Sequence, residues 1–222
     1  MAPVHSSPRP IAANGPPTVF VLDDDRSMRE SLTFLLESVR LRVEAYSGAR
    51  EFLDSYDPNR PGCLVLDIRL EGMGGLDLLG QLRDRAITLP VIVVTAFGDV
   101  RTAVAAMRAG AIEVMEKPVA DQVLLDRVHQ AIELDQQARA ADARRRAAAA
   151  LFALLSRRER QVLALVTAGK PNKSIASELG VAAKTVEGYR ATLMHKLGVH
   201  SVAELVRLDL LVKAGGPPIP SG

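Results

Sequence analysis

An aspartate triplet, Asp23-Asp24-Asp25, follows the apolar run Thr18-Val19-Phe20-Val21-Leu22. Asp67 follows a second such run, Cys63-Leu64-Val65-Leu66. Thr95 closes a third, Val91-Ile92-Val93-Val94, and Lys117-Pro118 closes a fourth, Ala111 to Glu116. Acids, a hydroxyl and an ammonium group thus stand just past the carboxyl ends of four short β-rich runs. In a parallel α/β sheet that edge is where sites form. Clustered carboxylates repel one another and imply a hard cation that offsets the repulsion. A lysine and a threonine beside a metal-bound carboxylate suit a phosphoryl group, whose oxygens take charge-assisted hydrogen bonds. The competing role for acids at strand ends is helix capping, and Asp25 stands where it would cap a helix beginning near Ser27.

The elements that must position these residues alternate. Strand-like runs fall at Val19–Leu22, Arg42–Tyr46, Cys63–Leu66, Val91–Val94 and Ile112–Met115. Helical patterns lie between them, near Ser27–Val39, Gly48–Tyr56, Leu76–Asp84 and Val100–Arg108. In the first, Met28, Leu32, Leu35, Leu36 and Val39 recur at helical spacing. Five β/α alternations predict a doubly wound five-stranded parallel sheet with helices on both faces.

Between Asp121 and Ala168 there is neither Gly nor Pro, and the Ala/Arg-rich stretch from Gln136 has very high helix propensity. One long helix over 121–150 is expected, with a break near Ala138 as the alternative. Arg144-Arg145-Arg146 fits either a phosphate contact or a solvated face. Beyond it, Ser156-Arg157-Arg158-Glu159 is a capping box that opens a helix ending at Gly169. Further helices are expected at about Asn172–Leu179, Ala183–Leu197 and Ser201–Lys213. Two short helices joined at Gly180-Val181-Ala182 form a helix-turn-helix signal.

The 222 residues allow two modest domains, with 48% hydrophobic residues for their cores. The single cysteine, Cys63, excludes an intramolecular disulfide and reads as a small buried residue. No apolar run is long enough to span a membrane, so no membrane partner is expected and the cytoplasm is the expected location. Residues 1–17 hold five of the thirteen prolines and read as a disordered arm, and 214–222 as a disordered tail. The formal charge of +2 hides an asymmetry. Residues 18–135 carry 13 Lys+Arg against 20 Asp+Glu, while residues 136–222 carry 14 against 6. An acidic half joined to a basic one points to nucleic acid as the partner of the basic half.

Phe20-Val21-Leu22-Asp23-Asp24-Asp25, Leu66-Asp67, Val94-Thr95-Ala96 and Glu116-Lys117-Pro118 together resemble the receiver domain of two-component response regulators. The stretch from Thr95 to Val100, with Ala109-Gly110-Ala111, is similar to the FixJ branch. Leu155 to Leu163, Asn172 to Ala176, Lys184 to Arg190 and Lys196 to Val199 resemble the LuxR-type DNA-binding domain. The chain is thus similar to regulators of the FixJ/NarL type. That resemblance implies a flavodoxin-like receiver at 18–120, a long linker helix at 121–150 and a helix-turn-helix domain at 151–213. In such a receiver Asp67 accepts a phosphoryl group from a histidine kinase. Asp24 and Asp67 bind Mg²⁺ together with the main-chain carbonyl of Arg69, and Asp23 holds a metal-bound water. Lys117 and Thr95 each meet a phosphoryl oxygen. Phosphorylation then promotes homodimerisation through the fourth helix and fifth strand, and binding to double-stranded promoter DNA, with RNA polymerase as a further partner. The third helix of the basic half is the recognition helix, with Lys173, Lys184, Thr185, Glu187, Arg190 and Lys196 as DNA contacts; Glu187 suits cytosine N4.

Two positions depart from the receiver pattern. Val114 stands where the family usually has an aromatic, and Glu71 where it usually has proline. Two other readings compete. An aspartyl phosphatase of the haloacid dehalogenase type needs an aspartate two residues after the nucleophile, where this chain has Arg69. A constitutive DNA-binding protein with an unphosphorylated receiver has no need of the complete Asp/Thr/Lys set. The first reading expects no enzymatic role beyond slow self-phosphorylation and self-dephosphorylation.

Overall fold

A computed structural model describes residues 15–96 and 99–213. The proline-rich arm up to residue 14, the tail from 214 and Phe97-Gly98 lie outside the described residues. The elements are β1 Thr18–Leu22, α1 Arg26–Ser38, β2 Arg42–Tyr46, α2 Ala49–Ser55, β3 Gly62–Leu66, α3 Gly75–Asp84, β4 Val91–Thr95, α4 Val100–Ala109 and β5 Glu113–Glu116. They continue with α5 Asp121–Ala153, α6 Arg157–Thr167, α7 Asn172–Leu179, α8 Ala183–Leu197 and α9 Val202–Lys213. The strands form one sheet in the order β2-β1-β3-β4-β5, every pairing parallel. The chain divides into two compact units, with the boundary inside α5 between Ala138 and Arg139.

In the first unit, strand side chains alternate between two cores, as a pleated sheet covered on both faces requires. Phe20, Leu22, Leu64, Leu66, Val91 and Val93 join α2, α3 and α4 residues such as Phe52, Leu78, Leu82 and Ala106. Val19, Val21, Cys63, Val65, Ile92 and Val94 join Leu32 and Leu36 of α1 and Leu124, Val128 and Ile132 of α5. Each fully buried aliphatic chain stabilises the fold by roughly 1.5–3 kcal/mol. Four aromatics, Phe20, Tyr46, Phe52 and Tyr56, share the first face, where Phe20 meets Phe52 and Tyr56 edge-on at centroid distances of 5.7 and 5.2 Å. Burial pushes the Cys63 thiol up to about 12, helped by the nearby charge of Asp135.

Asp135 itself escaped the sequence reading. It is buried on α5, and its Oδ2 accepts the Gly62 N–H at 2.8 Å, which ties α5 to the start of β3. In the second unit Leu155, Val162, Leu163, Val166, Ile175, Val186, Leu193, Leu197 and Leu205 form a single core. Ser156 and Glu159 make the capping box in both directions.

Candidate functional site

Backbone hydrogen bonds draw the strand ends into one edge. Asp67 N–H donates to Leu22 O at 2.8 Å, and Lys117 N–H to Thr95 O at 2.9 Å. The residues at positions 23, 67, 95 and 117 are therefore neighbours because the strands that carry them are neighbours. Gly75 opens α3 against this edge: a Cβ there would stand 2.6 Å from the Asp67 carbonyl oxygen, so the close approach requires glycine.

Lys117 is the hub. Its Nζ donates to Asp67 Oδ2 at 2.5 Å and to Asp23 Oδ2 at 2.7 Å. Both carboxylates are buried, as is Thr95 at the end of β4. Burial pulls the Lys117 pKa down, but the hydrogen bonds and charges of Asp23 and Asp67 outweigh it and hold the ammonium above its ordinary value. The remaining carboxylate oxygens are also used: Asp23 Oδ1 accepts the Asp25 N–H and Asp67 Oδ1 the Arg69 N–H, each at 2.9 Å. Asp24 lies exposed on the same loop.

The role of Asp25, open between site and cap, resolves to the cap. Its side chain accepts from the Ser27 and Met28 N–H groups and from Ser27 Oγ, and those bonds lower its pKa. Arg29 was missed. Its Nη1 donates to the carbonyls of Asp23 and Asp24 at 2.7 and 2.9 Å, so the first turns of α1 hold the acidic loop. Val114 packs against the first core and pairs in register with Val93, with no ring at that position.

The donor set is all carboxylate and carbonyl oxygen, which suits a hard divalent cation. Two buried carboxylates share one ammonium, and exposed Asp24 adds a third negative charge at the mouth. Among the described residues no three Asp, Glu, His or Cys side chains converge as a metal cage. An open Mg²⁺ site needs only one or two carboxylates and keeps several waters, so the residues fit that ion.

In the second unit, α7 and α8 are joined through Gly180, whose φ of 65° closes α7. Ala182 stands at the N-cap of α8 and makes no side-chain cap bond. Lys173, Lys184, Thr185 and Glu187 are exposed, and Lys184 Nζ lies 3.5 Å from Glu187. Two expected phosphate contacts have partners inside the fold. Arg190 Nη1 donates to Asn172 Oδ1 at 3.0 Å, bracing α7 on α8. Lys196 Nζ donates to the buried Glu159 carboxylate at 2.9 Å.

Residues 19–129 match the family model of the response regulator receiver domain, and residues 153–208 that of bacterial regulatory proteins of the luxR family. Nodulation protein W of Bradyrhizobium diazoefficiens is 45% identical over 191 residues, covering 86% of this chain and 84% of that protein. The chain is a response regulator. The transcriptional regulatory protein FixJ of Azorhizobium caulinodans is likewise 45% identical, over 87% of this chain and 92% of its own. Among solved structures, the response regulator StyR superposes with a TM-score of 0.79 at 44% identity, covering 88% of this chain and 99% of that one. This response regulator is a two-component transcription regulator, not an enzyme of metabolism, with a receiver domain and a LuxR-type DNA-binding domain. Receiver domains as a class bind Mg²⁺ at this acidic edge and receive their signal from a histidine kinase. No helix among the described residues is long and apolar enough to cross a membrane.

Proposed function

We propose that Asp67 is the phosphoacceptor of this regulator and that its modification switches promoter binding by the carboxyl-terminal half. The observation that carries the proposal is the Lys117 ammonium seated between Asp67 and Asp23 at the carboxyl edge of the sheet. An Asp67 carboxylate oxygen attacks phosphorus, an O–P bond forms, and the P–N bond to the kinase histidine breaks with its electron pair leaving on the imidazole nitrogen. Lys117 follows the negative charge from the carboxylate to a phosphoryl oxygen, and the Thr95 hydroxyl donates to another. Asp24, Asp67 and the Arg69 carbonyl would hold Mg²⁺, with Asp23 toward a metal-bound water, and the ion would supply charge neutralisation for the phosphoryl oxygens. Arg29 keeps the Asp23-Asp24 backbone in place during the transfer. Self-phosphorylation from small donors and slow hydrolysis belong to the same site.

Dimerisation of the phosphorylated form uses α4 and β5. Val100, Val104 and Met107 are exposed at i, i+4 and i+7 on α4, and Ile112 is exposed just before β5. We assign 18–120 to the receiver, 121–150 to a linker helix and 151–213 to DNA binding. Promoter contacts come from Lys173, Lys184, Thr185 and Glu187, with RNA polymerase as a further partner, and the protein works in the cytoplasm. Acetyl phosphate with Mg²⁺, followed by intact-mass measurement, tests the acceptor. Wild type gains one phosphoryl group and Asp67→Asn none; an equal gain on Asp67→Asn overturns the assignment and favours a receiver that does not signal through this residue.

A further inference from the structure

Helices α3 and α4 end at the edge of the sheet opposite Asp67, where Val91 begins β4. Both close with the same pair of backbone bonds. Ile87 N–H donates to Leu82 O and Ala86 N–H to Arg83 O, as Ala111 N–H does to Ala106 O and Gly110 N–H to Met107 O. The turn after α3 thereby folds Ile87 back onto the first core. Between the two helix ends lies a cleft of about 210 Å³, walled by Leu79, Leu82, Ile87 and Leu89. Its charged groups are Arg83 and Arg108. Basic residues in a last turn complement the helix dipole, which accounts for one cation at each end. The dipole does not account for two cations lining one apolar cleft without an acid. Three other clefts of the first unit mix signs: Lys117 with Glu30 and Asp121, Arg50 with Asp77 and Asp84, and Arg26 and Arg29 with Glu30 and Glu37. Arg83 reaches its exposed neighbour Asp84 at 3.8 Å, a pair that holds the side chain weakly. Arg108 has no carboxylate partner among the described residues.

We infer that this cleft is a binding site for a small apolar carboxylate. The guanidinium fork matches the geometry of a carboxylate and keeps its charge across the physiological pH range. The leucine and isoleucine walls take a hydrocarbon body. The space falls below the range of about 300–1,000 Å³ typical of ligand pockets, which limits that body to a short chain or a single ring. Such a ligand is held from α3 through Arg83 and from α4 through Arg108, so it ties the ends of the two helices together. The site lies across the sheet from Asp67 and makes no use of the phosphoacceptor assignment.

Arg85 provides an internal control, since it is exposed two residues from Arg83 but does not line the cleft. Full-length isotope-labelled protein is titrated with hexanoate, hexylamine and inorganic phosphate while its amide resonances are followed. Hexanoate is expected to shift the Leu82, Arg108 and Gly110 signals saturably at about millimolar concentration, as befits so few atoms. Hexylamine offers the same body with the opposite charge, and phosphate offers charge without the body; both leave those signals in place at the same concentration. Arg83→Gln and Arg108→Gln each weaken hexanoate binding about tenfold or more, while Arg85→Gln binds like wild type. The spectra of the variants report directly that each is folded. Absence of saturable shifts with hexanoate, equal shifts with hexylamine or phosphate, or a loss in Arg85→Gln equal to that in Arg83→Gln and Arg108→Gln overturns the inference.

Discussion

The Nζ of Lys117 lies 2.5 Å from Asp67 Oδ2, a contact between residues 50 positions apart that joins the ends of β3 and β5. The same ammonium holds Asp23. Lys117→Gln leaves two buried carboxylates without their cation, so unfolding in urea should show a loss of about 1–3 kcal/mol at neutral pH. The folded pKa of Lys117 is raised, so its contribution is fully present below the ordinary lysine value of 10.5 and fades as pH rises through the folded value. Above that range the wild type and the variant should converge in stability.

Glu159 gives the second unit the opposite pH response. The Lys196 ammonium, then the Ser156 N–H, hold its carboxyl below the ordinary 4.5. Its contribution is present above that value and is lost as pH falls through the lower, folded one. Glu159→Gln should cost about 1 kcal/mol at pH 7 through the weakened capping box, and its melting temperature should fall less steeply than wild type on acidification below pH 4.5.

Asp135 is a single buried carboxylate on α5 that accepts the Gly62 N–H. Asp135→Ala strands that donor in the interior and should destabilise the first unit by about 1–3 kcal/mol in denaturant unfolding. Asp135→Asn keeps an acceptor of the same shape and should recover part of the loss. Equal stability of wild type and Asp135→Ala would show that this tie contributes nothing.

Cys63 should be silent toward iodoacetamide in the native protein at pH 8 and react fully in urea, because a buried thiol raised to about 12 carries almost no thiolate. Since the folded value exceeds the ordinary 9.0, the stability tied to the neutral thiol is present below pH 9 and is lost between 9 and 12. Rapid native labelling would mean that β3 opens locally.

The four strand ends were legible because β-branched apolar runs stop abruptly at Asp23, Asp67, Thr95 and Lys117, and a parallel sheet brings such ends together. The fifth strand begins at Glu113 rather than Ile112, since apolar character alone does not mark where ladder bonding starts. α5 runs to Ala153 because nothing in its composition stops it before Ser156 caps the next helix. Asp25 stayed ambiguous because one residue type both caps helices and holds cations. The carbonyl clamp of Arg29 and the bond from Gly62 to Asp135 were invisible because they depend on where side chains fold back, not on spacing. Likewise, positive charge alone could not say that Arg190 faces Asn172 and Lys196 faces Glu159.

In the proposed function a phosphoryl group on Asp67 controls the grip on DNA. The most direct test is the affinity of full-length wild type and Asp67→Asn for a selected operator, each with and without acetyl phosphate and Mg²⁺. Phosphorylated wild type should bind more tightly, with no response from Asp67→Asn or from wild type treated with EDTA. An equal response in Asp67→Asn, or none in a wild type shown by mass to carry the phosphoryl group, would contradict it.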